Sequence, residues 1–224
     1  MKRLAIVPVK RLSKAKMRLS KVLRPRERRA IAEMMMKDVL QAIQNSGLLD
    51  DIIVVGSDTP VKRLAKEYQA KFVKEPSAGL NISIEYATEC SRENGATSVL
   101  VMLADLPLVN ENDVEQMMQL GLDVAVVISP SRTEGTNALL RTPPDVIRTE
   151  YGHKSFVNHL KGTQERDIPF KVLWTPSLSF DVDTPGDLWQ LLEIPVETHT
   201  TRFLKSIDIP KRLTRYWARI KQVY

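Results

Sequence analysis

The sequence has very little of two features, cysteine and long apolar runs. Its 224 residues include one cysteine, Cys90, and no stretch of about 18 apolar residues. One cysteine excludes an intrachain disulfide and is typical of a reducing compartment. Without a long apolar run, a membrane protein is not expected, and no small-residue cleavage site follows the basic start of the chain. We therefore expect a cytoplasmic protein without a signal peptide.

The phosphate-binding glycine motifs are also missing. The first apolar run, residues 3–9, opens into a loop that lacks glycine and carries Lys10, Arg11, Lys14, Lys16 and Arg18. A Walker A motif needs GxxxxGK[ST] and a dinucleotide fingerprint needs GxGxxG, so both are excluded for this loop. If the loop binds phosphate, it does so with side-chain charge.

The charge is unevenly distributed along the chain. Residues 1–40 carry a net charge of +10 and residues 196–224 carry +5, while the segment between them carries −9. A protein that binds nucleic acid without specificity usually spreads its basic residues over one face. Aromatic residues make up 6% of the chain and none interrupts the first basic cluster, so the stacking platform for a single strand is missing. We expect no nucleic-acid partner, although a basic RNA-binding protein remains an alternative.

The hydrophobic pattern predicts an α/β fold. Apolar strand-like runs at residues 3–9, 51–57 and 98–105 alternate with amphipathic stretches such as residues 25–46, which begin with Pro25. This alternation is typical of a doubly wound, mainly parallel sheet with helices on both faces.

The second half of the chain has a different pattern. After the apolar run at residues 123–129, short pieces separated by proline and glycine predict a small antiparallel excursion. We expect one domain over residues 1–194 and a basic, helical C-terminal arm over residues 195–224. The arm has an apolar side suited to its own domain or a sister subunit, so we expect a homodimer.

Three carboxylates follow predicted strands. They are Asp105 in "MLADLPL" and Asp181 and Asp183 in "FDVDTP". Ligands of open parallel sheets gather at the carboxyl ends of the strands, and Mg²⁺ prefers carboxylate and phosphate oxygens. The trio therefore predicts a metal site. Asp183 could instead be the N-cap of the following helix, and "DVD" could be the metal motif of a glycosyltransferase.

The basic loop completes a possible phosphoryl-transfer site. Lysines act as mobile charges, and Arg18 could hold a phosphate with two hydrogen bonds. The alternative is a solvated basic loop without a ligand.

Six segments together resemble one enzyme family. They are "PVKRLSKAKMRLS", "GLNISIEYA", "ADLPL", "GTNALL", "YGHKSFVNHL" and "DVDTPGDL", over roughly residues 4–190. Their order and spacing resemble those of the 2-phospho-L-lactate guanylyltransferase family. The resemblance implies that residues 1–194 form a nucleotidyltransferase domain with a fold like that of the nucleotide-diphospho-sugar transferases. The resemblance implies that GTP and 2-phospho-L-lactate react to give lactyl-2-diphospho-5'-guanosine and pyrophosphate, in coenzyme F-420 biosynthesis. It also implies a possible contact with the next enzyme of that pathway.

The resemblance assigns site residues. Asp105, Asp181 and Asp183 correspond to Mg²⁺ ligands. Lys10, Lys16 and Arg18 would face the GTP phosphates, Lys16 being counted with the catalytic residues. Gly79 and Asn81 would approach the nucleotide, although Asn81 could simply cap a helix.

The acceptor-binding positions correspond to Thr136, Gly152 and Ser155. Ser155 could also be an N-cap, and His159 could orient a loop. Phosphoenolpyruvate and 3-phosphoglycerate remain alternative acceptors.

Overall fold

The computed structural model of the protein describes residues 1–77 and 79–221. Its strands are β1 (Arg3–Pro8), β2 (Asp51–Gly56), β3 (Lys71–Lys74), β4 (Ser98–Met102), β5 (Val126–Pro130), β6 (Thr136–Arg141) and β7 (Phe170–Val172). They form one seven-stranded sheet in the order β3-β2-β1-β4-β6-β5-β7. All the neighbouring pairs are parallel except the two that include β6. The prediction of a mainly parallel α/β fold is confirmed.

Helices follow most of the strands. They are α1 (Pro25–Ser46), α2 (Thr59–Glu67), α3 (Leu80–Glu93), α4 (Glu111–Leu120), α5 (Ser155–Gln164), α6 (Pro176–Ser179), α7 (Pro185–Glu193), α8 (His199–Ser206) and α9 (Ile209–Lys221), with 3-10 turns at Leu12–Lys14 and Met17–Lys21. In the part of the chain that the structure describes, no helix is both long and apolar enough to cross a bilayer.

Helix α1 has the bounds that its sequence predicts. Pro25 occupies its first turn, where a missing N–H costs nothing, and the Glu27 carboxylate accepts a hydrogen bond from the Arg24 N–H at 2.8 Å. Gly47 ends the helix with a φ of 62°, which glycine adopts without strain.

The sheet separates two hydrophobic layers. Val54 and Leu140 face a layer that includes residues of α1, α2 and α4, while Ile53 and Leu139 face a layer that includes residues of α3 and α5. Successive residues of a strand point to opposite faces, so strands covered on both faces are apolar at nearly every position. This explains the continuous apolar runs in the sequence.

The antiparallel element lies within the sheet, which corrects the prediction of an excursion from it. Strand β6 pairs with β4 on one side and with β5 on the other, antiparallel to both. It follows β5 after the short loop of residues 131–135, and an antiparallel neighbour needs no crossover helix. As a result, the beginning of β6 lies at the same edge of the sheet as the ends of β4 and β5.

The C-terminal arm packs against its own domain. Leu204, Ile209 and Leu213 are fully buried in a hydrophobic cluster with Leu23 and Phe180. The N-terminus of α8 is bound by Asp38 of α1, whose carboxylate accepts hydrogen bonds from the backbone N–H groups of residues 199 and 200 and from a hydroxyl. Residues 222–224 of the predicted arm lie outside the described residues. These buried side chains of the arm therefore face its own domain, and the homodimer stays a prediction.

Candidate active site

The basic loop and the first carboxylate leave the sheet side by side. Strands β1 and β4 are parallel neighbours, so the loop after Pro8 and the segment containing Asp105 begin at the same edge. The segment containing Asp181 and Asp183 reaches this edge from β7 and α6. It is attached there by a hydrogen bond from the Val182 N–H to the Asp105 carbonyl oxygen, at 3.3 Å.

Lys16 lies between two of the predicted carboxylates. Its Nζ donates to Asp105 Oδ2 at 2.8 Å and to Asp183 Oδ1 at 2.9 Å. The Lys16 side chain is 8% exposed, and its backbone has a φ of 51°, a left-handed conformation that is uncommon for a residue with a side chain. The Lys16 ammonium thus bridges two segments that are 78 residues apart along the chain.

The charges of this cluster stabilise one another. Burial acts to lower the pKa of Lys16, but Asp105 and Asp183 outweigh it and hold the pKa above its ordinary value. Burial acts to raise the pKa of Asp183, but Lys16, Arg18 and Lys10 outweigh it and hold that pKa below its ordinary value. Lys16 and Asp183 are therefore both charged near neutral pH.

The remaining loop cations are more loosely placed. Arg18 Nη1 is 3.8 Å from Asp183 Oδ2, and the Arg18 side chain is 76% exposed. The Lys10 side chain is also exposed, although it is close enough to influence Asp183. Both side chains are free to turn toward a ligand, whereas Lys16 must leave two carboxylates to do so.

The donor chemistry fits a divalent cation, but the present arrangement is not a finished metal site. Within residues 1–77 and 79–221, no group of three or more His, Cys, Asp or Glu side chains is arranged to hold a metal. Asp105 Oδ1 is buried and has no hydrogen-bond partner in the described structure, and burial together with Asp105 and Asp183 raises the pKa of Asp181. Both observations indicate carboxylate oxygens that lack a positive partner. The Lys16 ammonium supplies part of the positive charge that this group of carboxylates needs.

A cavity opens beside this cluster. It has a volume of about 380 Å³ and combines the loop cations with apolar side chains of β1, α1 and α3. Its lining includes Lys10, Lys14, Lys16, Arg18, Asp105 and Asp183. A lining that combines charged and apolar groups suits a ligand that carries phosphates and a flat ring.

The segment of residues 181–187 is stiffened by Asp187, a residue that the sequence analysis overlooked. Asp187 Oδ2 accepts hydrogen bonds from the N–H groups of Asp183 and Thr184, at 3.0 and 2.7 Å. Thr184 is the N-cap of α7, so the alternative role of Asp183 as that cap is wrong. The Thr-x-x-Asp spacing of a capping box was the sequence signal for Asp187.

Arg132 was also overlooked. Its guanidinium donates to the Asp181 carbonyl oxygen at 3.0 Å and to Asp187 Oδ1 at 2.8 Å, and it lies over the Phe180 ring at 4.0 Å. It thereby attaches the loop between β5 and β6 to the carboxylate segment. Its partners are about 50 residues away in the chain, and no local pattern marks such a residue.

Gly79 and Asn81 lie at the start of α3. Gly79 is the N-cap with a φ of 145°, where a side chain would be strained. Asn81 is not the cap: its amide pairs with the backbone of Tyr151, donating at 2.9 Å and accepting at 2.7 Å. One N–H and one oxygen lone pair of the amide remain for another partner. Asn81 therefore connects α3 to the loop that precedes α5.

Two predicted acceptor residues are in direct contact. The Thr136 N–H donates to Ser155 Oγ at 2.8 Å, and Thr136 Oγ1 lies 2.9 Å from Nδ1 of His159. Both residues are almost wholly buried, with exposures of 1% for Thr136 and 2% for Ser155. Ser155 is the first residue of α5 and Lys154 is its N-cap, so Ser155 is not the cap.

Gly152 lies in the exposed loop before α5. Its φ of 132° suits glycine, and no heavy atom outside its neighbours lies within 4 Å of a Cβ placed there. Open space at this residue leaves room for a ligand near the N-terminus of α5.

A β-bulge determines which way Thr136 points. Ser129 pairs with Ala138 and Pro130 pairs with Thr136, so Asn137 has no partner on β5. Ala138 faces the layer of α1, and strict alternation would place Thr136 there too. Because of the extra residue, the Thr136 side chain reaches His159 on α5 instead.

The acceptor residues and the metal residues are close in the sheet. The Leu103 N–H, two residues before Asp105, donates to the carbonyl oxygen of Asn137 at 3.0 Å. Asn137 directly follows Thr136. The structure thus brings Asp105, Asp183 and Lys16 into one cluster beyond the end of β4, and Thr136 and Ser155 into a second at the start of the neighbouring β6.

Comparisons with known proteins agree with this arrangement. A family model described as "Guanylyl transferase CofC like" matches residues 3–221. A phosphoenolpyruvate guanylyltransferase from Sphaerobacter thermophilus is 34% identical over 189 residues, which cover 84% of this chain and 91% of the relative. A 2-phospho-L-lactate guanylyltransferase from Methanocaldococcus vulcanius is 33% identical over 207 residues, which cover 92% of this chain and 91% of the relative.

The fold has a close counterpart among solved structures. A protein from Desulfovibrio desulfuricans, provisionally described as a nucleotide-diphospho-sugar transferase, superposes with a TM-score of 0.79. The match covers 96% of this chain and 99% of the other at 19% sequence identity. At that identity the likeness shows the fold alone.

Proposed function

Because this chain belongs to the CofC-like family of guanylyl transferases, we propose that it joins GTP to 2-phospho-L-lactate, giving lactyl-2-diphospho-5'-guanosine and pyrophosphate in coenzyme F-420 biosynthesis. Family membership makes it a nucleotidyltransferase that uses GTP. The observation that carries the proposal is the ammonium of Lys16 between Asp105 and Asp183, beside a basic cavity.

The proposal also includes the identity of the acceptor. Curated relatives carry the names of both 2-phospho-L-lactate and phosphoenolpyruvate guanylyltransferases at similar identity. The two acids share a carboxylate and a phosphate on a three-carbon skeleton, so the same anion-binding groups would serve either. Phosphoenolpyruvate is therefore the second candidate, ahead of 3-phosphoglycerate.

The main task of this chain in the reaction is to bring two anions together. The phosphate of the acceptor attacks the α-phosphorus of GTP, and pyrophosphate leaves. The attacking phosphate is already ionised near neutral pH, so no side chain needs to act as a nucleophile or to remove its proton. Lys10, Lys16 and Arg18 would offset the triphosphate charge while the chain holds the reacting atoms in line.

Mg²⁺ would be held by Asp105, Asp181 and Asp183, and when bound it supplies positive charge that neutralises the phosphates. Lys16 shares Asp105 and Asp183 with the proposed cation, and its ammonium would turn to the GTP phosphates. Gly79 and Asn81 would border the nucleotide.

The acceptor would bind at Thr136, Gly152 and Ser155. The N-terminus of α5 carries partial positive charge that favours an anion there. Since Thr136 and Ser155 are buried, an acceptor reaches their hydroxyl groups only when the adjacent loops shift. A cytoplasmic location, a homodimer and a contact with the next enzyme of the pathway stay predictions.

A substrate panel tests the function. The protein is incubated with Mg²⁺, each of the four nucleoside triphosphates and each of the three acids, and pyrophosphate is measured. We expect release with GTP and 2-phospho-L-lactate above all other pairs. Faster pyrophosphate release with phosphoenolpyruvate would make that acid the acceptor instead. No release with any pair would overturn the proposal.

The same assay tests the metal assignment. Asp105→Asn keeps the shape of the side chain but removes its charge, and we expect pyrophosphate release to fall by about 100-fold or more. Circular dichroism checks that the variant is folded. Turnover retained within a few fold would contradict Asp105 as a metal ligand.

A further inference from the structure

His159 is a buried side chain whose two nitrogens both have partners. It lies in α5 and is 1% exposed. Its Nε2 is 2.9 Å from the Glu150 backbone nitrogen and its Nδ1 is 2.9 Å from Thr136 Oγ1. The ring packs edge-on to Tyr151 with centroids 5.1 Å apart.

These contacts determine the tautomer of the ring. The Glu150 N–H can only donate, so Nε2 must accept and carry no hydrogen. The hydrogen of the neutral ring is then on Nδ1, which donates to Thr136 Oγ1. The Thr136 hydroxyl oxygen is thereby used as an acceptor, and its own hydrogen must point away from His159.

We propose that His159 is a positioning residue that makes the Thr136 hydroxyl a donor aimed at an anionic oxygen of the phosphorylated acceptor. This inference rests on the proposed function, because it concerns the same acceptor site. His159 itself does not touch the substrate; it acts through Thr136. A hydroxyl free to rotate would spend part of its time with its lone pairs toward the anion, which would repel it.

A second hydroxyl lies beside the first, on Ser155. Ser155 Oγ accepts from the Thr136 N–H at 2.8 Å, which leaves the Ser155 hydroxyl hydrogen available. Among the contacts of the described residues, neither hydroxyl hydrogen has an acceptor. Two neighbouring buried donors without acceptors are costly in a protein interior, and an anionic oxygen would satisfy both.

The surroundings keep the imidazole neutral. Burial lowers the pKa of His159 to about 4, and the nearby Arg141 acts in the same direction. Arg141 is itself fully buried and donates to the Ile147 carbonyl oxygen at 2.9 Å. In a protonated ring, Nε2 would carry a hydrogen that points at the Glu150 N–H. The neutral ring is therefore required for Nε2 to accept from Glu150 while Nδ1 donates to Thr136.

Two conservative variants separate positioning from a structural role. In His159→Asn, the side-chain amide takes the place of Nδ1 and can still donate to Thr136. In His159→Gln, the longer side chain places its amide where Nε2 was, so only the contact with Glu150 is kept. We expect His159→Gln to raise the KM for the acceptor about tenfold or more, with the KM for GTP little changed and His159→Asn closer to the wild type. The reverse order of the two variants would mean that His159 only supports the loop, and would overturn the inference.

A double variant tests the route through Thr136. Thr136→Val deletes the hydroxyl at nearly constant shape, and His159→Gln should have little further effect on the acceptor KM in that background. Independent, multiplying effects would contradict the inference. His199→Asn and His199→Gln, at the remote start of α8, are matched controls that we expect to leave both KM values unchanged.

One measurement is independent of turnover. A long-range proton–nitrogen NMR spectrum of the full chain reports which imidazole nitrogen of His159 carries hydrogen. We expect the Nδ1–H form, and the Nε2–H form would overturn the inference whatever the substrate is. An Nδ1–H signal in a protein that uses none of the three acids would support the geometry and overturn the proposed function instead.

Discussion

At the scale of single residues, Lys16 balances the charge of the site before any ligand binds. The distances of 2.8 and 2.9 Å to Asp105 and Asp183 are those of strong charge-assisted hydrogen bonds. A divalent cation and an ammonium group cannot both be held at close range by the same carboxylate oxygens without strong repulsion. We therefore expect a divalent cation to compete with Lys16 for these oxygens, and GTP, which offers phosphates to the ammonium, to favour the cation.

A methionine at position 16 tests this coupling. Lys16→Met keeps an unbranched chain but removes the competing charge, so the free protein should bind Mn²⁺ about tenfold more tightly or better in the absence of nucleotide. Electron paramagnetic resonance of free Mn²⁺ measures the affinity. GTP should strengthen Mn²⁺ binding in the wild type more than in the variant.

Lys21→Met is the matched control, because Lys21 is exposed in the turn at Met17–Lys21 and has no contact with the carboxylates among the described residues. We expect its Mn²⁺ affinity to equal that of the wild type. Unchanged or weaker binding by Lys16→Met would show that Lys16 supports the carboxylates instead of competing for them.

The sequence predicted part of this site and not the rest. Asp105 was predictable because it follows β4, and the carboxyl ends of parallel strands meet at one edge. The prediction that Asp181 and Asp183 also follow a strand is wrong, because their segment comes after α6 and reaches this edge as an irregular stretch. That Lys16 would contact the carboxylates directly was not predictable, because its position depends on a left-handed backbone conformation within an irregular loop. Arg132 was missed for a similar reason: its partners come together only in the folded chain.

At the scale of secondary-structure elements, the attachment of α8 to α1 depends on one carboxylate. Burial raises the pKa of Asp38, even though the side chain accepts hydrogen bonds from the N–H groups of His199 and Thr200 and from the Thr200 hydroxyl. The three donors come from the first turn of α8, whose N–H groups have no partners within the helix. Asp38 thus acts as an N-cap supplied from another helix.

Removing this carboxylate should destabilise the protein. Asp38→Ala leaves three buried donors without an acceptor, and we expect the free energy of unfolding to fall by about 1–3 kcal/mol. Urea denaturation followed by circular dichroism measures the change. Glu33→Ala is the control on the same helix, since Glu33 pairs with Arg29 at the surface and should contribute less than about 0.5 kcal/mol. Equal losses would contradict the capping role.

Helix bounds were easier to predict than the place of a strand. Pro25 and Gly47 delimit α1 in the sequence as in the structure, because capping is local. The position of β6 between β4 and β5 was missed, since strand neighbours are decided by long-range packing that a periodic pattern does not contain. The prediction of antiparallel character succeeded because short, closely spaced strands favour a hairpin.

At the scale of the whole molecule, the C-terminal arm completes a hydrophobic cluster that also supports the site. Leu213 of α9 is fully buried in the same cluster as Leu19 and Leu23 of the basic loop region and Val182 of the carboxylate segment. We propose that the domain extends through α9 instead of ending near residue 194. The arm would then help to position both halves of the charge cluster.

Shortening one buried side chain of the arm tests this proposal. Leu213→Ala removes a fully buried side chain, so we expect a loss of about 2–5 kcal/mol in the free energy of unfolding, within one cooperative transition. Leu122→Ala, at a leucine that is 61% exposed, should change it by less than about 0.5 kcal/mol. A separate early transition in Leu213→Ala would indicate that the arm unfolds alone.

The bulge at Asn137 has a consequence for how strand β6 tolerates a change in its length. The layers on the two faces of the sheet are separate hydrophobic compartments, the first including Ala138 and residues of α1 and the second including residues of α3 and α5. One unpaired residue transfers the Thr136 hydroxyl from the first compartment to the second. Deleting that residue would return the hydroxyl to the face of α1 and away from His159, so the length of a single strand determines to which face this hydroxyl belongs.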